Sequence, residues 1–272
     1  MISLSGCAST TWWPDIDSEK ICKDVKGLSF SAKSAKWKAE GHVSTTDIIA
    51  LAAGQKELAE KFALYSQVPD AQALRFSAPA VSFWGIFYWE YRQNINSILH
   101  SLHGGDEQKI IKRRNKLKQM INELLRNDPE KNAWKIGFLI HALGDSFAHV
   151  YDEGNGLYAY GPGTGHLCEK GSFSPDSIYE NNKNYIAYLT TLFEALNTGN
   201  GDASTLNRYI MHVKKIIKEA RKLTESERDN HIRENIVKFE LENIPPLHYC
   251  DHKKWANEVT FSKVETFLKD IK

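Results

Sequence analysis

Three side chains able to bind a metal ion follow one another at helical spacing in the middle of the chain. His141, Asp145 and His149 stand in an otherwise apolar run over about 132–151. At about 100° per residue, all three project from one face of a helix. An ionised Asp buried beside imidazoles is costly without a partner, and imidazole nitrogen and carboxylate oxygen are common ligands of divalent cations. The pattern therefore predicts a metal site; a His–Asp pair satisfied within the core is the alternative.

The length of this helix indicates more than one ion. From 141 to 149 the axial rise is about 12 Å, so His141 and Asp145 can share an ion, whereas His149 should reach a second one. Gly144 lowers helix propensity by about 1 kcal/mol relative to Ala, which is reasonable where a backbone, ligand or metal must approach closely.

The composition is that of an ordinary globular protein and excludes several classes. The 272 residues are 42% hydrophobic and 25% charged, with a net charge of +1. Such a charge provides no general basic field for nucleic acid or anionic lipid. No apolar run reaches the roughly 18 residues of a membrane-spanning helix, which excludes a multi-pass membrane protein.

Apolar spacing predicts an all-α fold with a single helical domain over 36–272, after a polar tether or irregular segment at 1–35. We expect helices near 45–64, 78–102, 106–126, 132–151, 174–197, 203–221, 225–243 and from 257. The basic side of 106–126 is expected to be a solvated helix face. The glycine-rich loop 153–171 lacks the ending of a phosphate-binding P-loop.

The N-terminus carries one further pattern. Leu4-Ser5-Gly6-Cys7 resembles the lipobox of bacterial lipoproteins, in which the Cys carries lipid. Only Met1 to Leu4 precede it, without the basic stretch and apolar core of a signal peptide. Either the natural start lies upstream or the match is coincidental. We expect a protein of the bacterial cell envelope or a secreted protein. If Cys7 is lipidated, the expected location is the periplasm or the outer membrane.

The segment His141–His149 resembles the zinc-dependent phospholipase C family and, more loosely, the S1/P1-type nucleases. Their helices carry a His-x-x-x-Asp pair followed by a further His. Similar segments occur in the expected order over about 42–176, and they are Gly41-His42, Ser66–Asp70, Leu99–Gly105, Gly165-His166 and Ser174-Pro175-Asp176.

The resemblance implies a helical bundle of that type holding two or three zinc ions. His100, His141 and Asp145, with Asp70, would surround the first ion. His149 and His166, with Asp176 or Glu169, would hold the second. His42, sharing Asp145, would hold the third. Secreted members also use a processed N-terminal Trp amine, whereas Trp12 and Trp13 are internal here, and the acidic ligand stands at an unfamiliar distance from His166.

The implied activity is hydrolysis of a phosphodiester, foremost a phospholipid headgroup, by metal-activated water, with Asp70 as ligand and base. No Gly-x-Ser-x-Gly nucleophile elbow is present. Two alternatives stay open. One is an S1/P1-like nuclease or nucleotide phosphatase, for which nucleic acid would be a partner. The other is a non-enzymatic helical envelope lipoprotein or interaction module with a structural metal or none.

Overall fold

The computed structural model describes residues 40–70, 76, 89–162, 175–239 and 259–271, and all structural statements concern these residues. The chain is mostly helical, which confirms the expected class. The α-helices are α1 (Thr45–Ala52), α2 (Ala59–Gln67), α3 (Trp89–Asn94), α4 (Glu107–Arg126), α5 (Ala133–Ala148), α6 (Asn182–Leu196), α7 (Ala203–Ala220), α8 (Glu225–Ile236) and α9 (Phe261–Ile271). Two π-helical turns cover Glu40–Ser44 and Ile95–Leu99, and a 3₁₀ turn covers Val68–Asp70. Among the described helices, none has both the length and the apolar character needed to cross a membrane.

Helix α5 lies at the centre of the fold. All of its residues except Lys135 are buried, as expected for a helix that is apolar nearly all round. Helices α2, α4 and α6 pack around it. Gly137 permits an unusually close approach to α2, because a Cβ at this position would lie only 2.3 Å from the Cβ of Tyr65. The end of α2 is therefore held directly against the face of α5.

The structure also contains a small antiparallel sheet that the sequence pattern did not predict, with one strand before α4 and two strands after α5. Strands β1 (Gly105–Asp106), β2 (Val150–Asp152) and β3 (Leu157–Ala159) are arranged in the order β1-β3-β2. Val150 pairs with Ala159, and both pack on Ile110 of α4. Strands of two or three residues are too short to produce a periodic signal.

Several expected helices have different limits, and two of them differ most clearly. The segment expected to be one helix over 45–64 is divided, because α1 ends in a Schellman-type turn: Gly54 has a φ of +86°, and the amide of Gln55 donates to Ala50. The helix expected from 174 begins only at Asn182. Residues 1–35, the first part (78–88) of the helix expected over 78–102, His166 and Glu169 lie outside the described residues.

Candidate metal centre

Every predicted metal ligand except His166, which lies outside the described residues, is brought to one region. His42 lies in the first π-helical turn, Asp70 ends the 3₁₀ turn, and His100 directly follows the second π-helical turn. Asp145 is the common neighbour. Its Oδ2 lies 3.2 Å from His100 Nδ1 and 3.2 Å from His141 Nε2, and its Oδ1 lies 3.4 Å from His42 Nε2. We call His42, Asp70, His100, His141 and Asp145 the Asp145 cluster.

Asp70 forms the solvent-facing side of the Asp145 cluster. Its Oδ1 lies 3.9 Å from both His100 Nδ1 and His141 Nε2, and its Oδ2 lies 3.8 Å from His42 Nε2. The Asp70 side chain is 31% exposed, whereas that of Asp145 is 5% exposed. A small molecule would therefore meet the cluster on the Asp70 side.

His149 faces a different carboxylate. Its Nε2 lies 3.3 Å from Asp176 Oδ1, and its Nδ1 lies 3.7 Å from Asp145 Oδ2. We call His149 and Asp176 the second pair. The carboxylate nearest to His149 is Asp176 and the one nearest to His141 is Asp145, although Asp145 contacts both rings. That His149 serves a separate ion stays a prediction.

Backbone carbonyls determine which nitrogen of three imidazoles carries a hydrogen. His141 Nδ1 lies 2.9 Å from the carbonyl of Ser66, His100 Nε2 lies 2.7 Å from that of Phe76, and His149 Nδ1 lies 2.8 Å from that of His100. A carbonyl can only accept, so each of these nitrogens donates. In the neutral rings, the lone pairs are therefore on His141 Nε2, His100 Nδ1 and His149 Nε2.

These lone pairs face other acceptors. His100 Nδ1 and His141 Nε2 are 3.2 Å apart, and each lies 3.2 Å from the same oxygen of Asp145. Three acceptor atoms at these distances repel one another, and only an added proton or a bound cation between them removes this repulsion. Nitrogen and oxygen ligands at about 2.0 Å from a tetrahedral zinc ion lie roughly 3.3 Å from one another, which agrees with the observed separations. Hydrogen bonding of the far nitrogen to a carbonyl is also the usual support of a metal-binding histidine.

The pKa values of His149 and His100 show the same demand for positive charge, whereas burial lowers the pKa of His141. Burial lowers the pKa of His149, but the charge of Asp145 and the hydrogen bond and charge of Asp176 outweigh it and raise the pKa to about 10. Burial also opposes the charged form of His100, yet the hydrogen bond and charge of Asp145 raise its pKa above the ordinary value. Burial disfavours the ionised form of Asp145, but the charges of His141 and His149 hold its pKa well below the ordinary value. Without metal, protons occupy positions that a cation would take.

Local backbone geometry sets the position of His100. The next residue, Ser101, has a φ of +49°, in the left-handed region that non-glycine residues rarely adopt. Its hydroxyl donates to the carbonyl of Ala142 at 2.6 Å, which fixes this turn to α5. The ring of His100 can thereby face Asp145 while its carbonyl accepts from His149. Unusual backbone of this kind and π-helical turns both concentrate at functional sites.

Gly144 provides the space for His42. A Cβ on Gly144 would lie 3.2 Å from His42 Cε1 and 3.4 Å from the hydroxyl of Tyr188. The ring of His42 stacks on that of His141 with 4.3 Å between centroids. Its Nδ1 is buried and has no hydrogen-bond partner within the described part of the chain. A close approach to Gly144 was expected, and the atoms that make it belong to the side chains of His42 and Tyr188.

Two arginines that the sequence did not single out support the histidine-bearing elements. Arg114 donates to the carbonyl of Ser146 at 2.8 Å and lies over the ring of Phe147, and Arg113 donates to the carbonyl of Ile98. Cations are favourable beside the carbonyls at helix ends. The expected solvated face of 106–126 is thus partly buried, and no spacing signal distinguishes these two arginines from the other basic residues there.

Comparison of the chain with protein-family models, with curated proteins and with solved structures finds no match. The resemblance to the zinc-dependent phospholipase C family therefore rests on the motifs between 42 and 176. The function has to be inferred from the geometry of the site.

Proposed function

We propose that this chain is a metal-dependent, zinc-using hydrolase of phosphodiesters, similar in fold and activity to zinc-dependent phospholipase C. The observation that carries the proposal is the convergence of His100 Nδ1 and His141 Nε2 on one oxygen of Asp145, with separations suited to zinc. A phospholipid is the proposed substrate. We propose the bacterial cell envelope as the location of this activity, and the lipobox-like sequence around Cys7 supports this part of the proposal.

The described residues offer two overlapping sets of ligand atoms. In each set, the atoms lie within 4.8 Å of one another. His100, His141 and Asp145 form one set, and His42, Asp70 and His141 form the other. His149 and Asp176 would contribute to a further ion, for which His166 is the proposed third ligand. All of these proposed ligands offer nitrogen or oxygen atoms, and this mixture suits zinc better than magnesium or calcium, which prefer oxygen alone.

Bound divalent cations at these positions would acidify water and neutralise phosphoryl oxygens. Asp145 is buried and stays ionised, so it supplies a fixed negative charge among the imidazoles. Asp70 is the more accessible carboxylate, and its two oxygens face His42 on one side and His100 and His141 on the other. We assign Asp70 the role of orienting the attacking water and accepting its proton.

The test compares Asp145→Asn with the parent protein. After zinc loading, both are assayed on phosphatidylcholine vesicles and on single-stranded DNA. Asp145→Asn should lose more than about 100-fold in turnover, because a metal ligand matters at least as much as the residues that support it. Asp270→Asn, an exposed change of the same type on α9, should keep full activity.

Three outcomes would count against the proposal. Retained turnover in Asp145→Asn would remove this residue from the centre. Less than one equivalent of bound metal in the parent would remove the centre itself. Bound zinc without hydrolysis of either substrate would favour the alternative of an envelope protein with a structural metal.

An aromatic cluster favours nucleic acid as a second candidate substrate. The rings of Tyr151 and Tyr158 stack with 5.9 Å between centroids, and Tyr160 lies 4.7 Å from Tyr151. Tyr151 follows His149 by two residues, and the Tyr151 and Tyr158 side chains are partly accessible. Aromatic rings beside a metal centre are suited to stacking with bases. A higher kcat/KM on single-stranded DNA than on phosphatidylcholine would select this candidate.

A further inference from the structure

The second pair is assembled from two separate elements. His149 caps the C-terminal end of α5, whereas Asp176 lies in the turn at 175–181 that precedes α6. Their 3.3 Å separation depends on how this turn is held against the end of α5. A metal centre shared by two such elements needs a contact that fixes one against the other.

The side chain of Asn181 makes that contact. Its Nδ2 donates to the carbonyl of Pro175 at 2.9 Å and lies 3.2 Å from the carbonyls of both Phe147 and Ala148. Pro175 immediately precedes Asp176, and Ala148 immediately precedes His149. One buried amide group therefore joins the backbones next to both members of the second pair.

The orientation of this amide is fixed as well. Asn184 donates from its Nδ2 to Asn181 Oδ1 at 2.7 Å, so the nitrogen of Asn181 must face the three carbonyls. The Asn181 side chain is 3% exposed, which shields these bonds from competition with water. Asn181 occupies the N-cap position of α6, yet its side chain makes no capping bond to that helix.

We propose that Asn181 is the positioning residue of the second metal centre, because its amide holds the Pro175–Asp176 backbone against the His149 end of α5. This inference rests on the proposed metal-dependent function. None of the described side-chain hydrogen bonds of Asn181 reaches the Asp145 cluster. Loss of the amide should therefore weaken the metal-binding step of the second pair and leave binding to the Asp145 cluster unchanged.

The experiment measures stepwise zinc affinity and stoichiometry by titration against a competing chelator. Asn181→Ala should weaken one binding step by roughly 10- to 100-fold, the usual effect of removing a residue that supports a ligand, and should leave every other step at the parental value. Asn184→Ala, which keeps the donor but frees its orientation, should weaken the same step less. It also serves as the second variant if Asn181→Ala does not fold.

Asn182→Ala is the matched control. Asn182 makes a bond of the same kind, from Nδ2 to the carbonyl of Tyr179 at 2.6 Å, but this bond stays within the turn and does not reach α5. Asn182→Ala should bind zinc like the parent protein. Equal weakening of all binding steps in Asn181→Ala, or no change in any of them, would overturn the inference while leaving the proposed function intact. A parent protein that binds no zinc would overturn both.

Discussion

The carbonyls of Ser66, Phe76 and His100 each accept a hydrogen bond from one ring nitrogen of a buried histidine, and this leaves the other nitrogen of each ring facing a carboxylate. All three carbonyls belong to segments outside α5, so the chemical state of His141 on α5 depends on its tertiary partners. The side chains chosen from the sequence are thus turned into prospective ligands by backbone carbonyls whose contacts no sequence motif specifies.

At the scale of single residues, we predict that zinc binding releases protons. Because the pKa of His149 in the metal-free protein is about 10, its ring carries an extra proton at pH 7.5, and zinc must displace it. Apparent zinc affinity should therefore rise with pH until the pH approaches 10. Calorimetry in two buffers of different ionisation enthalpy should show at least one proton released.

His149→Gln is the matched variant for this prediction. It should release about one proton fewer than the parent on binding zinc, because its amide does not titrate. An identical number of released protons in both proteins would show that His149 takes no part in metal binding.

At the scale of elements, the close contact of α2 with α5 positions the Ser66 carbonyl for His141. Gly137 makes the contact possible, since a Cβ there would lie 2.3 Å from Tyr65 Cβ and 3.0 Å from the amide nitrogen of Ser66. The same contact therefore contributes to helix packing and to the orientation of a prospective ligand.

Gly137→Ala should consequently destabilise the fold and weaken zinc binding together. Overpacking typically lowers the free energy of unfolding by about 1–3 kcal/mol, and the better helix propensity of Ala restores about 1 kcal/mol of this loss. Urea unfolding of the metal-free protein and zinc titration would measure the two effects. Gly161→Ala, which meets no atom within 4 Å, should change the free energy of unfolding by less than about 0.5 kcal/mol. A fully stable Gly137→Ala protein with parental zinc affinity would contradict this account of the helix contact.

At the scale of the whole molecule, one buried acid should make the stability depend on pH. Asp47 of α1 is 5% exposed, and burial, together with the charge of Glu60, raises its pKa from the ordinary 3.8 to about 7. A carboxyl with a raised folded-state pKa keeps its proton in the native state after the unfolded state has lost it. The unfolding free energy therefore decreases as pH rises from about 4 to about 7, and this contribution is constant above that range.

Asp47→Asn should remove this dependence. Relative to the parent, the variant should gain stability progressively between pH 4 and pH 7, by up to about 4 kcal/mol for a shift of roughly three units. Urea unfolding of both metal-free proteins across this pH range would measure the difference. A difference that does not change with pH would show that Asp47 titrates normally in the folded protein.

The sequence predicted the parts of the molecule that have a repeating pattern. The helical class and the side chains of α5 followed from apolar spacing, and the segments around His42, Asp70 and His100 from a resemblance in order and context. Features set by single tertiary contacts left no such pattern. The π-helical turns, the left-handed Ser101 and the buried amide of Asn181 depend on which backbone atoms meet in the folded chain. The short strands after His149 were missed for the same reason.

A crystal structure of the zinc-soaked protein, with anomalous diffraction measured at the zinc absorption edge, tests the central claim most directly. The account predicts one ion within about 2.5 Å of His100 Nδ1, His141 Nε2 and Asp145 Oδ2, and a second ion bound by His149 Nε2 and Asp176. A fully soaked crystal without anomalous density at these atoms would contradict it.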